Sequence, residues 1–406
     1  MGPSTVQELP PSESSDLQLS FQPTPEECTQ VWTATAASWK DSLTLPEYLA
    51  ESQYLTTVPL AQDGGRTMWI LVDGKPPPSQ PRRVFCSCES FRKRSLASDG
   101  RGNVQEGIVH GIASVFCPPE YRGRGYGTRL MNELAKVLRC GRQPEHGKKT
   151  IGSILYSDIG KEYYARLGWL PNPQNGHFVI PPAKAEKKEK PALTAQVIPE
   201  SELGKLCLRD ESMIRKAMSM PSTARKRVVI LPDLDHMLWH IRKEDFATNH
   251  IFGATAMAKG AIAGSPGKQV WAIWVRRYYG HPDTPGEHEG NVLYILRLVV
   301  EGDDTANKPH DENRSPPPTE AYVEQAAALE AVLWAAQIAA AKWRLDQVHL
   351  WEPSPLVRCL LEQSSLDTTR VERHEASIAS ALWFTDDDNA VENAPVWVNN
   401  EYYVWC

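Results

Sequence analysis

The sequence lacks three features that would each place it in a special class of protein. Its most apolar stretch, residues 326–341, is too short for a bilayer span and carries Glu330 and Gln337. Its net charge is −6, so it lacks the basic excess of a general nucleic-acid binder. Its eight cysteines are scattered, without the dense cluster of a disulfide-rich secreted domain. We therefore expect a cytoplasmic protein that binds neither nucleic acid nor membrane.

The chain is long enough for two domains. Its 406 residues exceed the usual size of a single domain. Lysine and glutamate alternate through residues 184–192, which is typical of a solvated linker. Residues 1–15 are polar and proline-rich, and we expect them to form a disordered tail. The predicted domains cover residues 16–183 and 193–406.

Apolar periodicity and turn residues predict an α/β protein of the α+β type. The first segment is predicted to contain, in order, a strand at 18–22, helices starting at Pro25 and Pro46, strands at 67–73, 82–91 and 109–117, a helix after Gly127, a strand at 151–158, a helix at 160–168 and a strand near 177–182. A long polar connection is expected over residues 95–106. The second segment shows a hairpin, helix, strand, helix and strand, and the final strand is predicted within residues 394–406.

A glycine-rich loop, RGRGYG at residues 122–127, lies between a predicted strand and a predicted amphipathic helix. The first N–H groups of a helix, together with its dipole, favour a bound phosphate. Glycine lets the backbone approach closely, and the two arginines add positive charge. The spacing matches neither a Walker loop nor a dinucleotide fingerprint. The flanking strand and helix also disfavour an RGG-type RNA-binding tail. The loop is therefore predicted to bind a pyrophosphate.

Arg122, Gly125 and Gly127, preceded by Pro-Glu-Tyr, resemble the acetyl-CoA motif of the Gcn5-related N-acetyltransferase (GNAT) superfamily. The stretch SILYSDIGKEYYARLGW resembles the next element of that superfamily, a strand followed by a helix that ends in Tyr164-x-x-x-Gly168-Trp169. Together these motifs cover residues 109–170. In its overall layout and its ending, WVNNEYYVWC, the chain also resembles the fungal lysine N6-acetyltransferases of lysine catabolism.

The resemblance implies a GNAT fold in the first domain, with a mixed, largely antiparallel sheet flanked by helices. It also implies acetyl-CoA as co-substrate, bound where the fourth and fifth strands splay apart. The residues expected to bind it are Val115, Phe116, Cys117, Arg122, Gly123, Arg124, Gly125, Tyr126, Gly127 and Thr128. No metal is expected, because the His236 and His240 pair lacks a third ligand and the glutamate of a metalloprotease motif.

In such enzymes the amine attacks the thioester directly, and the resemblance implies that Tyr164 protonates the departing sulfur. The sequence does not identify the general base. Several relatives carry a glutamate on the fourth strand where this chain has Gly111. The neighbouring His110 has a suitable pKa, but strand alternation points it to the opposite face, and a structural histidine explains it equally well. Glu106, Asp158 or a chain of waters are the other candidates.

The second segment carries an acidic, proline-rich stretch, residues 302–318, where a GNAT domain has its glycine-arginine loop. We therefore expect a degenerate GNAT-like domain that binds no pyrophosphate and covers the acceptor side of the first domain. Tryptophans of this segment, Glu401 and the C-terminal carboxylate are candidates for the wall of a closed pocket. Such a pocket suits a small amine, and the resemblance points to free L-lysine. A protein or peptide lysine acetyltransferase and a non-catalytic acetyl-CoA-binding regulator are the alternatives.

Overall fold

The computed structural model describes residues 9–74, 81–140, 148–183, 191–224, 226–284, 290–303, 320–384 and 394–405. Its strands are β1 (Leu17–Ser20), β2 (Arg66–Asp73), β3 (Val84–Asp99), β4 (Val104–Phe116), β5 (Lys149–Ser157), β6 (Leu170–Pro171), β7 (Gly176–Ile180), β8 (Gln196–Pro199), β9 (Lys226–Ile230), β10 (Ala258–Ala263), β11 (Val270–Arg277), β12 (Val292–Val300), β13 (Gln347–Trp351), β14 (Thr369–Glu372), β15 (Ile378–Trp383) and β16 (Val396–Val398). Its helices are α1 (Pro25–Trp39), α2 (Leu45–Leu55), α3 (Tyr126–Cys140), α4 (Glu162–Arg166), α5 (Glu200–Met218), α6 (Leu234–Phe252), α7 (Glu320–Lys342) and α8 (Pro355–Gln363). The predicted α/β class is confirmed, with two mixed sheets flanked by helices.

The first sheet has the strand order β1-β2-β3-β4-β5-β15-β6. Strands β1 to β4 are antiparallel neighbours, whereas β4 and β5 are parallel. The C-terminal part of β3, Ser95 to Asp99, also pairs with β9, which in turn pairs with β16. Helix α3 packs on one face of this sheet through Leu130, Met131 and Leu134, all of which are fully buried.

The second sheet has the strand order β14-β7-β13-β12-β11-β10-β8. The alanine-rich helix α7 covers one face, where Ala328, Val332 and Ala336 are fully buried. Because alanine side chains are short, this helix approaches the sheet closely over much of its length. None of the helices in the described ranges is both long and apolar enough to cross a membrane.

The two halves of the chain exchange strands. Strand β15, from the second half, completes the first sheet by pairing antiparallel with β5 over six residues. Strand β7, from the first half, lies in the second sheet between β13 and β14. The predicted boundaries at residues 183 and 193 therefore do not separate the two sheets. Most of the predicted linker, residues 184–190, lies outside the described residues.

A shared core joins the two sheets. It contains Val109 and Ile154 of the first sheet, Trp271 and Leu296 of the second, and Tyr403 near the C-terminus. Within the molecule the buried Arg297 guanidinium donates to both Asp210 carboxylate oxygens, at 2.7 and 2.9 Å, and to Glu401. Loss of one partner from such a buried group is costly, about 3–5 kcal/mol, because the remaining charge stays desolvated.

Local sequence explains where the first two helices begin. Thr24 and Glu27 form a capping box before α1, and Thr44 and Glu47 do the same before α2. In each helix a proline occupies the first turn, where its missing N–H leaves no intrahelical bond unmade. Both predicted helix starts are confirmed.

Three local predictions are wrong. Residues 95–106 are not a long connection, because β3 and β4 continue as a hairpin to Ser98 and Val104. The described part of the predicted final strand, residues 394–405, forms only the short strand β16 and then a 3-10 helix at Tyr402–Val404. Residues 9–15 of the predicted tail are packed, since Ser12 is 8% exposed and its carbonyl accepts from Arg129 at 3.0 Å. Residues 1–8 lie outside the described part of the chain.

We predict that a fragment ending at residue 183 does not fold. It lacks β9 and β15, so β5 and the C-terminal part of β3 would expose unpaired backbone along their edges. The expected result is an insoluble or unfolded fragment by circular dichroism, and recovery of soluble protein when residues 193–406 are co-expressed. Cooperative thermal unfolding of the isolated fragment would contradict this prediction.

Buried neutral histidines should make the protein sensitive to acid. Burial lowers the pKa of His110 and of His177 to about 4, and of His240 and of His349 to about 3. An unfolded histidine, with a pKa of about 6.5, takes up its proton first as the pH falls. The free energy of unfolding is therefore highest above about pH 6.5 and falls toward about pH 4, by about 1.4 kcal/mol per pH unit for each such proton.

Urea unfolding at a series of pH values measures this dependence. The variant His240→Gln should have a shallower slope than the wild type in this range. The exposed His374 provides a matched control, and His374→Gln should leave the slope unchanged. Equal slopes for all three proteins would show that the buried histidines do not control acid stability.

Candidate active site

A break in the pairing of β4 creates the centre of the site. Ser87 of β3 pairs with Phe116 and Glu89 pairs with Ala113, so two residues of β4 lie opposite one residue of β3 and form a bulge. Within the bulge, Ser114 has a positive φ of 53°. The parallel pairs of β4 with β5 end at Ile112 and Leu155. Beyond this point β4 leaves β5, as the predicted splay requires.

The glycine-rich loop follows the end of β4. A 3-10 turn at Pro119–Tyr121 leads into Gly123 and Gly125, whose φ angles are 74° and 86°. Positive φ is accessible to glycine at little cost. Arg122 is held in place, since its Nε donates to the Cys117 carbonyl at 2.9 Å and its guanidinium lies over the Phe116 ring.

The predicted cofactor-binding residues are thus brought together. Residues 115–117 lie at the end of β4, and residues 122–128 lead from the following 3-10 turn into the first turn of α3. The side chains of Arg122 and Arg124 are exposed beside the loop. Tyr126 is the exception, because its ring is buried against Phe85 and Tyr121 and anchors the start of the helix.

The N-terminal segment 9–15 lies against the same loop. The Tyr126 hydroxyl donates to the Pro10 carbonyl, and Arg129 donates to the Ser12 carbonyl at 3.0 Å. A Cβ atom added to Gly125 would lie only 2.6 Å from the Ser12 Oγ atom. Any larger residue at position 125 would force Ser12 to move, which supplies a second reason for glycine there.

A cavity of about 230 Å³ adjoins the bulge, whose residues Ala113 to Val115 form part of its wall. Its walls come from α1, α2, β3, the β4 bulge at Ile112–Val115 and the end of β5. Four residues from the second half of the chain complete it, and these are Trp239, Lys243, Arg277 and Trp405. The expectation that tryptophans of the second half wall a pocket is confirmed for Trp239 and Trp405.

Tyr164 lines this cavity and its neighbour Tyr163 does not. Tyr164 is 8% exposed, and burial raises its pKa well above the usual value for tyrosine. It is therefore a neutral hydroxyl that can donate a proton. The Tyr163 hydroxyl instead lies 3.5 Å from the Thr128 hydroxyl, at the start of α3.

Three carboxylates face the cavity. Glu89 forms an ion pair with Arg66, and Glu51 accepts from Lys243 Nζ at 2.7 Å. Asp158 accepts instead from the Ser377 backbone N–H at 2.9 Å. In the described ranges no cationic side chain lies within ion-pair distance of Asp158, and its side chain is exposed.

The other sequence-derived candidates lie elsewhere. His110 is absent from the cavity wall, and burial together with Arg92 lowers its pKa to about 4. Glu106 forms ion pairs with Lys148 and Arg215, which lower its pKa to about 2. Glu401 is buried against Arg297, at the C-terminal end of β12. Residue 406, with the C-terminal carboxylate, lies outside the described residues.

From the sequence, no metal is expected at the histidine pair of α6, His236 and His240. His236 Nδ1 lies 2.8 Å from Asp233, and His240 Nε2 lies 3.1 Å from the Tyr403 carbonyl. Over the described ranges, no three His, Cys, Asp or Glu side chains are arranged to hold a metal ion.

Sequence reasoning missed several cavity residues, among them Glu51, Glu89, Lys243 and Arg277. They come from four elements that are distant in the chain, namely α2, β3, α6 and β11. Glu89 alone gave a local signal, because it is a charged residue within the apolar strand VFCSCESF. The others lie on ordinary amphipathic helices or at a strand end, where charged residues are common.

Two family models match this chain. Residues 95–169 match the acetyltransferase (GNAT) family, over the hairpin, the loop and Tyr164. Residues 177–406 match a model described as the LYC1 GNAT-like C-terminal domain. The fold and the loop define a protein of the GNAT superfamily. Because the second model covers more than half of the chain, the protein belongs to the family with this LYC1 GNAT-like C-terminal domain.

Two curated proteins are similar in sequence. An uncharacterized protein of Saccharomyces cerevisiae is 25% identical over 180 residues, which are 38% of this chain and 45% of the relative. A lysine acetyltransferase of Yarrowia lipolytica is 23% identical over 96 residues, 21% of this chain and 24% of the relative. The matched regions therefore span less than half of each relative.

Solved structures give more distant likenesses. A probable N-acyltransferase of Enterococcus faecalis matches with a TM-score of 0.49 and 11% identity, over 90% of this chain and 71% of that chain. A GCN5-related N-acetyltransferase of Kribbella flavida matches with a TM-score of 0.47 and 16% identity, over 90% and 71%. Likenesses of this degree say nothing about the substrate.

A matched pair of glycine variants tests the contact between the loop and segment 9–15. Gly123 and Gly125 both have positive φ, so alanine at either position costs about 1 kcal/mol in backbone strain. A Cβ at residue 123 has no neighbour within 4 Å, whereas one at residue 125 meets Ser12. We expect Gly125→Ala to lower the melting temperature more than Gly123→Ala, and to speed amide exchange in segment 9–15.

The double variant Ser12→Gly/Gly125→Ala removes the colliding side chain. It should regain the exchange protection that Gly125→Ala loses. Identical behaviour of the two single alanine variants would contradict the packed position of Ser12.

Proposed function

We propose that the protein is a cytosolic, acetyl-CoA-dependent N-acetyltransferase that acetylates the N6 amine of free L-lysine, as in fungal lysine degradation. The observation that supports this most is the cavity of about 230 Å³ beside the β4 bulge, closed by residues from both halves of the chain. In this proposal the cavity holds the acceptor, and the nearby glycine-rich loop holds the pyrophosphate of the co-substrate. The similarity to a lysine acetyltransferase supports the choice of lysine.

In this proposal acetyl-CoA binds along the end of β4 and the loop. Its pyrophosphate contacts the N-terminal amides of α3 and the arginines at positions 122 and 124. The pantetheine pairs with the backbone of Val115 to Cys117, which has left β5. The thioester then lies at the bulge, between the loop and the cavity. A backbone N–H of the bulge stabilises the developing oxyanion.

The size of the cavity favours a small acceptor over a polypeptide. Trp239 and Lys243 of α6, Arg277 of β11 and Trp405 close the side that faces the second half of the chain. A lysine within a peptide would need a groove for the residues on either side of it. Free lysine is small enough to lie within the enclosed space, with its methylene chain against the aromatic walls.

The reaction is a direct transfer in a ternary complex. The neutral amine attacks the thioester carbonyl carbon, the carbon–sulfur bond breaks, and the sulfur takes a proton from Tyr164. The nitrogen loses its second proton as the amide forms, and this proton restores the Tyr164 hydroxyl. Neutralising a lysine amine of pKa ~10.4 near pH 7.4 costs ~4 kcal/mol, so a proton acceptor is needed. Of the candidate bases, Asp158 lines the cavity, whereas His110 and Glu106 do not. We assign the ammonium proton to Asp158, which can pass it to bulk water.

Steady-state release of CoA from acetyl-CoA tests the function. The acceptors are free L-lysine, L-ornithine, cadaverine and a lysine-containing peptide. Turnover with free lysine, and little with the peptide, is the expected result. Turnover with the peptide alone would overturn the proposal in favour of a protein acetyltransferase. Binding of acetyl-CoA without turnover of any acceptor would point to a regulator.

A pair of tyrosine variants tests the proton donor. Tyr164→Phe removes the hydroxyl within the cavity, and kcat should fall by about tenfold to a hundredfold because the thiolate must leave unprotonated. The loss should be smallest at high pH, where a thiolate needs less help. Tyr163→Phe is the matched control, and its kcat should stay within about twofold of wild type. An unchanged kcat for Tyr164→Phe would remove this residue from the mechanism.

A further inference from the structure

One end of the acceptor cavity is strongly charged. A second, smaller cavity of about 40 Å³ adjoins it, and the two share the lining residues Glu51, Lys243, Arg277 and Trp405. These side chains therefore form the partition between the two spaces. The bulge at Ala113 to Val115 lines only the larger cavity. The partition and the bulge are therefore different parts of the wall of the larger cavity.

The partition carries both signs of charge. Lys243 Nζ donates to Glu51 at 2.7 Å, and the Arg277 guanidinium donates to both Asp41 carboxylate oxygens at 2.9 and 3.2 Å. The two anions come from the first half of the chain and the two cations from the second. The Arg277 guanidinium also lies over the Trp405 ring, with its central carbon 4.8 Å from the ring centroid.

Burial makes these charges unusual. The side chain of Glu51 is 2% exposed and that of Lys243 is 25% exposed. Desolvation offsets much of the attraction within a buried ion pair, so apolar side chains would stabilise the same contact about as well. Charged groups of both signs on a cavity wall are, in contrast, well suited to a ligand that carries both signs itself.

We infer that Glu51, Lys243 and Arg277 recognise the α-ammonium and α-carboxylate of an amino-acid acceptor; this inference rests on the proposed function. The α-carboxylate pairs with Lys243 and Arg277, and the α-ammonium pairs with Glu51. The side-chain amine then extends along the aromatic walls toward the bulge. An amine without these two groups leaves the partition charges paired only with each other. The acceptor is therefore a free α-amino acid with a terminal amine.

Analogues of lysine that lack one group each test this inference. Cadaverine lacks the carboxylate, and 6-aminohexanoate lacks the α-ammonium. We expect the wild-type kcat/KM for each to be about 100-fold below that for L-lysine, because each analogue lacks the charge-assisted hydrogen bonds of one substrate group. Lys243→Met should lower kcat/KM for L-lysine by about 100-fold and that for cadaverine far less, since cadaverine has no carboxylate to lose. Lys243→Arg should retain most of the preference for lysine.

The same logic applies to the anionic group. Glu51→Gln should reduce the preference for L-lysine over 6-aminohexanoate while preserving the preference over cadaverine. Lys259→Met is the matched control. Lys259 is 3% exposed and pairs with Asp245 at 2.6 Å, but it lines neither cavity. Its substitution should leave both preferences, for L-lysine over 6-aminohexanoate and for L-lysine over cadaverine, unchanged.

The outcomes separate the inference from the function on which it rests. If Lys243→Met lowers kcat/KM for L-lysine and cadaverine by the same factor, the ion pair only positions the cavity wall and the inference is wrong, although lysine acetylation stands. Equal wild-type rates with L-lysine and cadaverine would overturn it in the same way. If the wild type acetylates none of these amines, the proposed function is itself wrong and the inference fails with it.

Discussion

The exchange of strands between the two halves of the chain is the constraint on which the rest of the structure depends. Strand β15 covers the edge that β5 would otherwise expose, and β7 takes the corresponding position beside β13. Backbone hydrogen bonds thus fix the two sheets relative to one another, and a shared apolar core fills the space between them. Because the sheets are fixed, α6 and the end of β11 lie opposite α1 and α2. The cavity that residues from both halves of the chain line is a consequence of this arrangement.

The bulge in β4 separates two parts of the candidate site, the cavity and the glycine-rich loop. The pairing with β5 ends at Ile112, and the bulge at Ser114 lies between that point and the glycine-rich loop. Residues before and within the bulge line the cavity, whereas Cys117 and Arg122 lie on the side of the loop. A non-glycine residue at positive φ costs roughly 1–2 kcal/mol, and such strain persists only where the surrounding sheet enforces it. The bulge therefore lies between the cavity wall and the glycine-rich loop.

Ion pairs across the two halves give the contact its specificity. Glu51 with Lys243 and Asp41 with Arg277 each join a residue of the first half to one of the second. Buried pairs of this kind add little net stability, but an alternative packing that separates them leaves charges unpaired and is strongly disfavoured. They therefore determine the relative orientation of the two halves more than the stability of the contact between them. The same property makes the cavity charges suitable for recognising a ligand.

The sequence by itself determined the elements whose signals are local. Prolines located the starts of α1 and α2, and the glycines of the loop together with Tyr164, Gly168 and Trp169 indicated the GNAT superfamily. The sequence also indicated a second half that lacks a phosphate loop. It did not place β15 beside β5, nor Lys243 and Arg277 beside Glu51. Strand pairing and side-chain contacts across two hundred residues leave no periodic or spacing signal, because each partner looks like an ordinary strand or surface residue in its own segment. Only the tertiary structure decides which of these distant segments meet.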